Sequence, residues 1–158
     1  MKFKFGIGQD SHRFTEEGDD KPLMLGGLEI PGERRLAGNS DADVALHALC
    51  NAISGISGVN ILGAPADKLC REGITDSAVY VREARKTLGG WEISHVSVSL
   101  ECLRPKLAPH IDAMRMRIAE ILGITPGDVG VTATSGEGLT PFGQGLGIQA
   151  FVAVTACI

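Results

Sequence analysis

The chain has 158 residues, a length that suits one domain spanning 1–158 with a single core. It is 44% hydrophobic and 22% charged, which is typical of a globular protein and excludes a disordered or fibrous one. Its formal net charge of -4 argues against a broad nucleic-acid-binding surface, because such a surface needs a basic face. The sequence has no apolar run of membrane-spanning length and no visible signal peptide, so we expect a cytoplasmic protein without a membrane partner.

The first residues predict a strand with two polar side chains at its end. Lys2–Gln9 alternates lysine with phenylalanine and then turns glycine-rich, which predicts a strand that ends where Asp10 and His12 begin. Side chains two residues apart on an extended chain point the same way, so these two can act together. Next, LMLGGLEIP places two glycines between short apolar runs and predicts a small hairpin.

The stretch SDADVALHALCNAISGI has helical spacing. Ser40 is the expected cap, Asp43 completes an S-x-x-D box, and Gly55 is the expected end of the helix. The following segment, Asn60–Gly73, contains proline and glycines without a firm period, so we expect a loop or lid that can include one short helical turn.

The second half of the chain predicts two helices and three strands. They are the helix AVYVREARKTL, the strand WEISHVSVSLECL, the helix HIDAMRMRIAEIL stopped by Gly123, the strand Val129–Thr134 and the strand Ile148–Ala156. This order favours an α+β fold with one mixed four-stranded sheet, a small hairpin and helices packed on one face. Alternation in VSVSL and FVAVTACI leaves small, partly apolar residues on the other face, which predicts a symmetric oligomer.

Three residues have the chemistry of a metal site. His47 lies on the predicted helix amid VALHAL, where a buried ring needs a partner, and Asp10 with His12 offers a carboxylate and a second imidazole. Three protein ligands leave one tetrahedral position open, as in catalytic zinc sites. Asp43, one turn before His47, either orients a metal ligand or only favours the helix N-terminus as a carboxylate.

Two loops have the composition of anion-binding segments, although the same composition is common in turns and solvated loops. TATSGEGLTPFGQGLGI offers Glu137 together with hydroxyls and glycine amides. RPKLAPHI places Arg104 and Lys106 before a helix N-terminus. The cysteines form no C-x-x-C pair, so we expect four reduced thiols.

Four segments together resemble the 2-C-methyl-D-erythritol 2,4-cyclodiphosphate synthases of the non-mevalonate isoprenoid pathway. GIGQDSHRF resembles that family's G-x-G-x-D-x-H-x-F, and NSDADVALHALCNAISG its H-S-D-G-D-V-x-x-H-A-x-x-D-A-x-x-G. RPKLAPHI resembles P-K-L-x-P-H-I, and TATSGEGLTPFGQGLGI the C-terminal T-E…G…G-x-G-I segment. The likeness spans almost the whole chain, and its second motif is long and very specific.

The resemblance implies a catalytic set of four residues: Asp10, His12 and His47 hold Zn2+, and Glu137 holds Mg2+ or Mn2+ at the substrate diphosphate. It implies a substrate-binding set of Ser40, Asp43, Asp67, Cys102, Lys106, Leu107, Ala108, Ala133, Thr134, Ser135 and Gln144. The family resemblance also implies a homotrimer whose sheets face the three-fold axis and whose active sites lie between adjacent subunits. An isoprenoid is a candidate ligand of that axis.

The reaction implied by the resemblance is an intramolecular displacement on a small cytidine diphosphate substrate. The 2-phosphate of 4-diphosphocytidyl-2-C-methyl-D-erythritol 2-phosphate attacks the β-phosphorus, which forms the cyclic diphosphate and expels CMP. A phosphate monoester with a second pKa near 6 is already largely anionic at neutral pH, so it needs no strong protein base.

The sequence departs from the family pattern at several positions. Asn39 stands where histidine is common, Asn51 where an acidic residue is common, and Gln144 where arginine often binds phosphate. GVNILGAPADK replaces the usual G-D-I-G-x-x-F-P-D-T-D. Because the metal ligands are unchanged, we expect altered affinity and lid closure rather than another reaction class.

Two other functions fit the same residues. One is a non-haem iron oxygenase with a two-histidine, one-carboxylate triad. The other is a trimeric metal-stabilised module that binds an isoprenoid or a nucleotide. Metal identity separates the first from a synthase, and the effect of Glu137→Gln separates the second.

Overall fold

The computed structural model describes all residues, 1–158. Its strands are β1 Phe3–Arg13, β2 Leu23–Leu25, β3 Leu28–Ile30, β4 Glu92–Glu101, β5 Val129–Thr134 and β6 Gly147–Cys157. Its α-helices are α1 Val44–Ser57, α2 Ala64–Arg71, α3 Ser77–Lys86 and α4 Ile111–Leu122. None of them combines the length and apolar character that a bilayer-crossing helix needs.

A mixed sheet in the order β1-β6-β4-β5 organises these elements, and β2 pairs with β3 as a separate hairpin. Strand β6 is antiparallel to both β1 and β4, whereas β4 and β5 are parallel. Helix α1 packs on β1 and β6, and α4 packs on β5. The predicted α+β architecture is therefore confirmed.

Two glycines let helix α1 lie directly on the backbone of β1. A Cβ atom at Gly6 would stand 2.1 Å from the carbonyl oxygen of Ala52, and one at Gly8 would stand 2.0 Å from that of Ala48. No side chain fits at these distances, so both positions require glycine. This close contact fixes the helix that carries His47 against the strand that carries Asp10 and His12.

The opposite face of the sheet has no helix and exposes large apolar side chains. Phe3, Phe5 and Ile7 of β1 are 65%, 65% and 64% exposed, and Phe151 of β6 is 46% exposed. The sequence pattern predicted an uncovered face, but it drew attention to the small residues of β4 and β6 rather than to β1. A face of this kind is typical of an interface.

Four local expectations are wrong. Strand β1 continues through Asp10 and His12 instead of ending before them. The segment expected to be a loop contains the eight-residue helix α2, because Pro65 falls in the first turn, where its missing N–H costs nothing. Helix α1 is capped by Asp43 rather than Ser40, and it ends at Gly58, which adopts a left-handed conformation (φ 77°), rather than at Gly55.

Candidate metal centre

Asp10, His12 and His47 bring three potential metal ligands to one point. Asp10 Oδ2 lies 2.9 Å from His12 Nε2 and 3.1 Å from His47 Nδ1. The two ring nitrogens are 3.3 Å apart. No other group of three or more ligand-type side chains in the chain is arranged closely enough to hold a metal ion.

The outer nitrogen of His12 fixes which nitrogen faces the centre. His12 Nδ1 lies 2.7 Å from the carbonyl oxygen of Ala37, and a carbonyl only accepts, so Nδ1 carries the proton. In the neutral ring the lone pair of Nε2 then points at Asp10 and His47. Two nitrogens and one carboxylate oxygen that converge in this way need a positive charge between them, so the residues present fit a divalent cation.

The pKa shifts of Asp10 and His12 also indicate that positive charge is favoured at this centre. Burial by itself raises the pKa of Asp10, but hydrogen bonds and charge from His12 and His47 outweigh burial and lower the pKa to about 2. The pKa of His12 is raised, chiefly by its hydrogen bond to Asp10, although burial opposes the shift. Both shifts favour the charged forms, an ionised Asp10 and a protonated His12, so the Asp10 carboxylate stabilises positive charge at this point.

A cavity of about 260 Å³ opens onto the centre. Besides the three ligands it is lined by Ser40 and Asp67, so five residues predicted from the sequence lie together. Cys70 also lines it and was not predicted, because its segment was expected to be a loop. On helix α2, Asp67 and Cys70 are three residues apart and share a face, which is the signal that would have found Cys70.

A second group of predicted residues gathers where β4 and β5 end. The Cys102 N–H donates to the Thr134 carbonyl at 3.1 Å, which joins the start of the β4–α4 loop to the end of β5. Glu137 is exposed and held at a positive φ of 56°, and Gln144 Nε2 donates to the Gly138 carbonyl of the same loop at 3.1 Å. Of the other predicted contacts in this group, Lys106, Ala108, Ala133 and Ser135 are exposed and Leu107 is buried.

The two groups lie at the same end of the sheet but at opposite edges. Ser11 of β1, Gln149 of β6, Glu101 of β4 and Thr134 of β5 form one row across the sheet. Three strand spacings separate the ends of that row, about 14 Å. Within one chain the metal centre and the Glu137 loop therefore do not share a pocket.

Asp43 has a structural role. It is fully buried, and its two carboxylate oxygens accept N–H groups from Gly26 at 2.9 Å, Gly27 at 2.7 Å and Leu46 at 3.0 Å. Burial raises its pKa, and these donors partly offset the rise. This geometry corrects the expectation that Asp43 touches a substrate or orients a metal ligand, because its oxygens cap α1 and hold the β2–β3 turn.

The fold and the centre define a class: α+β proteins in which an edge strand and the first long helix share a candidate metal site. The sequence profile of the YgbB family matches residues 3–157. A 2-C-methyl-D-erythritol 2,4-cyclodiphosphate synthase of Chlamydia muridarum is 50% identical over 155 residues, covering 97% of this chain and 87% of the relative. The chain therefore belongs to the YgbB family.

Solved structures with the same fold agree with this assignment. A 2C-methyl-D-erythritol-2,4-cyclodiphosphate synthase in a CDP-bound form has a TM-score of 0.83 and 31% identity, covering 98% of this chain and 100% of its own. The bifunctional IspDF from Campylobacter jejuni has a TM-score of 0.86 and 27% identity over 98% of this chain. The match spans only 42% of that bifunctional chain.

Proposed function

We propose that this chain converts 4-diphosphocytidyl-2-C-methyl-D-erythritol 2-phosphate to 2-C-methyl-D-erythritol 2,4-cyclodiphosphate and CMP, a step in isoprenoid precursor biosynthesis. The observation that carries the proposal is the Asp10–His12–His47 centre in a chain whose relatives bear the name of this synthase. Family membership favours this reaction over an oxygenase or a binding module.

The donor atoms suggest which ions the chain binds. Two imidazole nitrogens and one carboxylate oxygen suit Zn2+ and leave one tetrahedral position for a phosphate oxygen. The exposed carboxylate of Glu137 is a hard oxygen donor that suits Mg2+ or Mn2+ beside a diphosphate. When bound, these cations supply positive charge that offsets the charge developing on the phosphoryl oxygens and on the departing CMP.

The protein's own residues have the task of positioning the reacting groups. An oxygen of the 2-phosphate forms a bond to the β-phosphorus, while the bond from that phosphorus to the CMP oxygen breaks and CMP leaves with the electron pair. The attacking phosphate is already anionic, so no side chain has to remove a proton. Ser40 faces the cavity beside the metal ligands. Lys106 with its neighbouring backbone, supplied by an adjacent subunit, holds the cytidine, which keeps both ends of the substrate in reach of each other.

We further propose a homotrimer with its sheets facing the three-fold axis. The metal centre and the Glu137 loop lie at opposite edges of one sheet end, so a ring of copies can place the two groups of adjacent subunits side by side. The same arrangement covers Phe3, Phe5 and Ile7, which a lone chain exposes to water. An apolar axis lined by these side chains is the candidate site for an isoprenoid.

The reaction is tested by phosphorus NMR of the purified protein with the cytidylated erythritol 2-phosphate and magnesium. We expect CMP and a cyclic diphosphate to appear, and a chelator to stop their formation. Glu137→Gln should lose turnover and remain folded, because the side chain is exposed. Unchanged substrate from folded, zinc-loaded protein would contradict the proposal and direct the search to other diphosphates.

The assembly is tested separately by Ile7→Glu, which places a charge on the uncovered sheet face. We expect light scattering to give the mass of a single chain, with turnover lost and zinc binding kept, since all three ligands belong to one chain. Met116→Glu is the matched control, because Met116 is 63% exposed on α4, away from the sheet face. A wild-type protein with the mass of one chain would refute the trimer.

A further inference from the structure

The ring nitrogen of His47 that points away from the centre has its own partners. His47 Nε2 lies 2.8 Å from Ser77 Oγ and 3.3 Å from Ser40 Oγ. Ser77 is the first residue of α3 and is fully buried, so this contact is shielded from water. A metal-ligating histidine needs such an outer partner, because that partner decides which nitrogen carries the proton.

The partners of the Ser77 hydroxyl decide which nitrogen of His47 carries the proton. Ser77 Oγ has one hydrogen, and it also contacts the Asp41 carboxylate, which only accepts. Its hydrogen therefore goes to Asp41, and its oxygen accepts the Nε2–H of His47. The lone pair of His47 Nδ1 then faces the centre, opposite His12 Nε2.

Asp41 is itself held in place from three directions. Its carboxylate accepts the backbone N–H of Ser77 at 3.0 Å and that of Asp43 at 3.1 Å. Its own N–H donates to the Thr75 carbonyl at 2.9 Å. Hydrogen bonds between Asp41 and Ser77 and between Ser77 and His47 thus join the loop before α1 and the start of α3 to a metal ligand on α1.

The Ser77 hydroxyl has no helix-capping task to explain its burial. Asp76 already caps α3, because its side chain accepts the Ala78 N–H at 2.8 Å. We propose that Ser77, held by Asp41, is a positioning residue that fixes the ring orientation and the protonated nitrogen of His47. The inference deepens the proposed function at the same metal centre, but it can be tested without turnover.

The assignment also frees the hydroxyl of Ser40. Ser40 Oγ accepts the Ala42 N–H at 3.1 Å, and the His47 proton is satisfied by Ser77 at the shorter distance. The Ser40 hydrogen then has no acceptor within the protein and is available to a phosphate oxygen in the cavity, which Ser40 lines.

The first test measures Zn2+ affinity by competition with a chromophoric chelator. Ser77→Ala should bind Zn2+ about 10- to 100-fold more weakly than wild type, the range typical of lost outer partners. Ser77→Thr, which keeps the hydroxyl, should restore most of the affinity. Ser54→Ala is the matched control, since Ser54 is a buried serine of α1 whose Oγ has no hydrogen-bond partner. Equal affinity of Ser77→Ala and wild type would overturn the proposal.

The second test does not depend on a variant that folds. Long-range proton–nitrogen NMR of the metal-free wild-type protein reports which nitrogen of His47 is protonated. We expect Nε2–H, and a mixture of both forms in Ser77→Ala; Nδ1–H in wild type would overturn the proposal. A wild-type protein that binds no divalent ion would instead refute the metal site of the proposed function, while the NMR result would still decide the role of Ser77.

Discussion

Gly8→Ala tests whether close contact between a helix and a strand builds the metal centre. The added Cβ would lie 2.0 Å from the Ala48 carbonyl oxygen and 2.5 Å from the Ala52 nitrogen. An ordinary non-bonded contact is about 3.5 Å, so helix α1 has to retreat by about 1.5 Å. Both neighbours are backbone atoms of a helix, so no side-chain rotation can relieve the clash.

This retreat is large compared with what a metal ion tolerates. His47 precedes Ala48 on α1, whereas Asp10 follows Gly8 by two residues on β1, so the shift separates the ligands. Coordination distances vary by only about 0.2 Å in sound sites. We expect Zn2+ affinity to fall by at least about 100-fold and the free energy of unfolding of the metal-free protein to fall by about 3 kcal/mol.

The assay pairs chelator competition for Zn2+ with urea unfolding of metal-free protein. Gly130→Ala is the matched control, since Gly130 is also a strand glycine, and a Cβ built there meets no atom within 4 Å. The control should change neither quantity appreciably. If Gly8→Ala kept wild-type affinity and stability, the inference that glycine sets the distance between His47 and β1 would be refuted.

Three further outcomes follow from contacts described above. The pKa of Asp10 is lowered from 3.8 to about 2, so its ionised carboxylate stabilises the metal-free fold above pH 3.8, and this stabilisation is lost as pH falls toward 2. The pKa of His12 is raised above 6.5, so its protonated ring stabilises the metal-free fold below pH 6.5, and this stabilisation is lost as pH rises through the raised pKa. Urea unfolding with a chelator should therefore show less stability at about pH 8.5 than at about pH 6, and added Zn2+ should reverse that trend because metal binding needs unprotonated rings. Arg35→Ala removes the donor to three carbonyls of the loop that holds His12, so the free energy of unfolding in urea should fall by about 2–4 kcal/mol. Arg34→Ala removes one hydrogen bond and should lower the free energy of unfolding less. Equal losses in the two variants would contradict this role of Arg35. Burial raises the pKa of Cys50 to about 12, so its thiol should resist alkylation in the folded protein at pH 8. Mass spectrometry should find Cys50 unalkylated before unfolding and alkylated after it. Alkylation of Cys50 in the folded protein would refute its burial.

The sequence contained enough information to predict the metal centre. Asp10 and His12 share a face because strand side chains alternate, and His47 falls inside an apolar helical pattern where a free ring is costly. The mixed four-stranded sheet and the hairpin also followed from local patterns, whereas the order β1-β6-β4-β5 within the sheet was not predicted. These features depend on periodicity over a few residues, which a single sequence displays directly.

The features that were missed depend on choices that the local sequence leaves open. Ser40 and Asp43 are both good caps, and only the backbone shows that Ala42 adopts a positive φ of 55°, which turns the chain and leaves Asp43 as the cap. Pro65 is as compatible with the start of a helix as with a loop. Ser77 meets His47 across 30 residues of sequence, and no local pattern marks it among the other serines.

The contact of α1 with β1 also bears on how this protein can be re-engineered. The spacing between α1 and β1 is set by main-chain contacts of Gly8 with Ala48 and Ala52, in which no residue of α2 takes part. Helix α2 contributes Asp67 and Cys70 to that wall but supplies no ligand. Segments grafted between Gly58 and Gly73 can therefore change which molecules enter the cavity while the ligand geometry stays as it is.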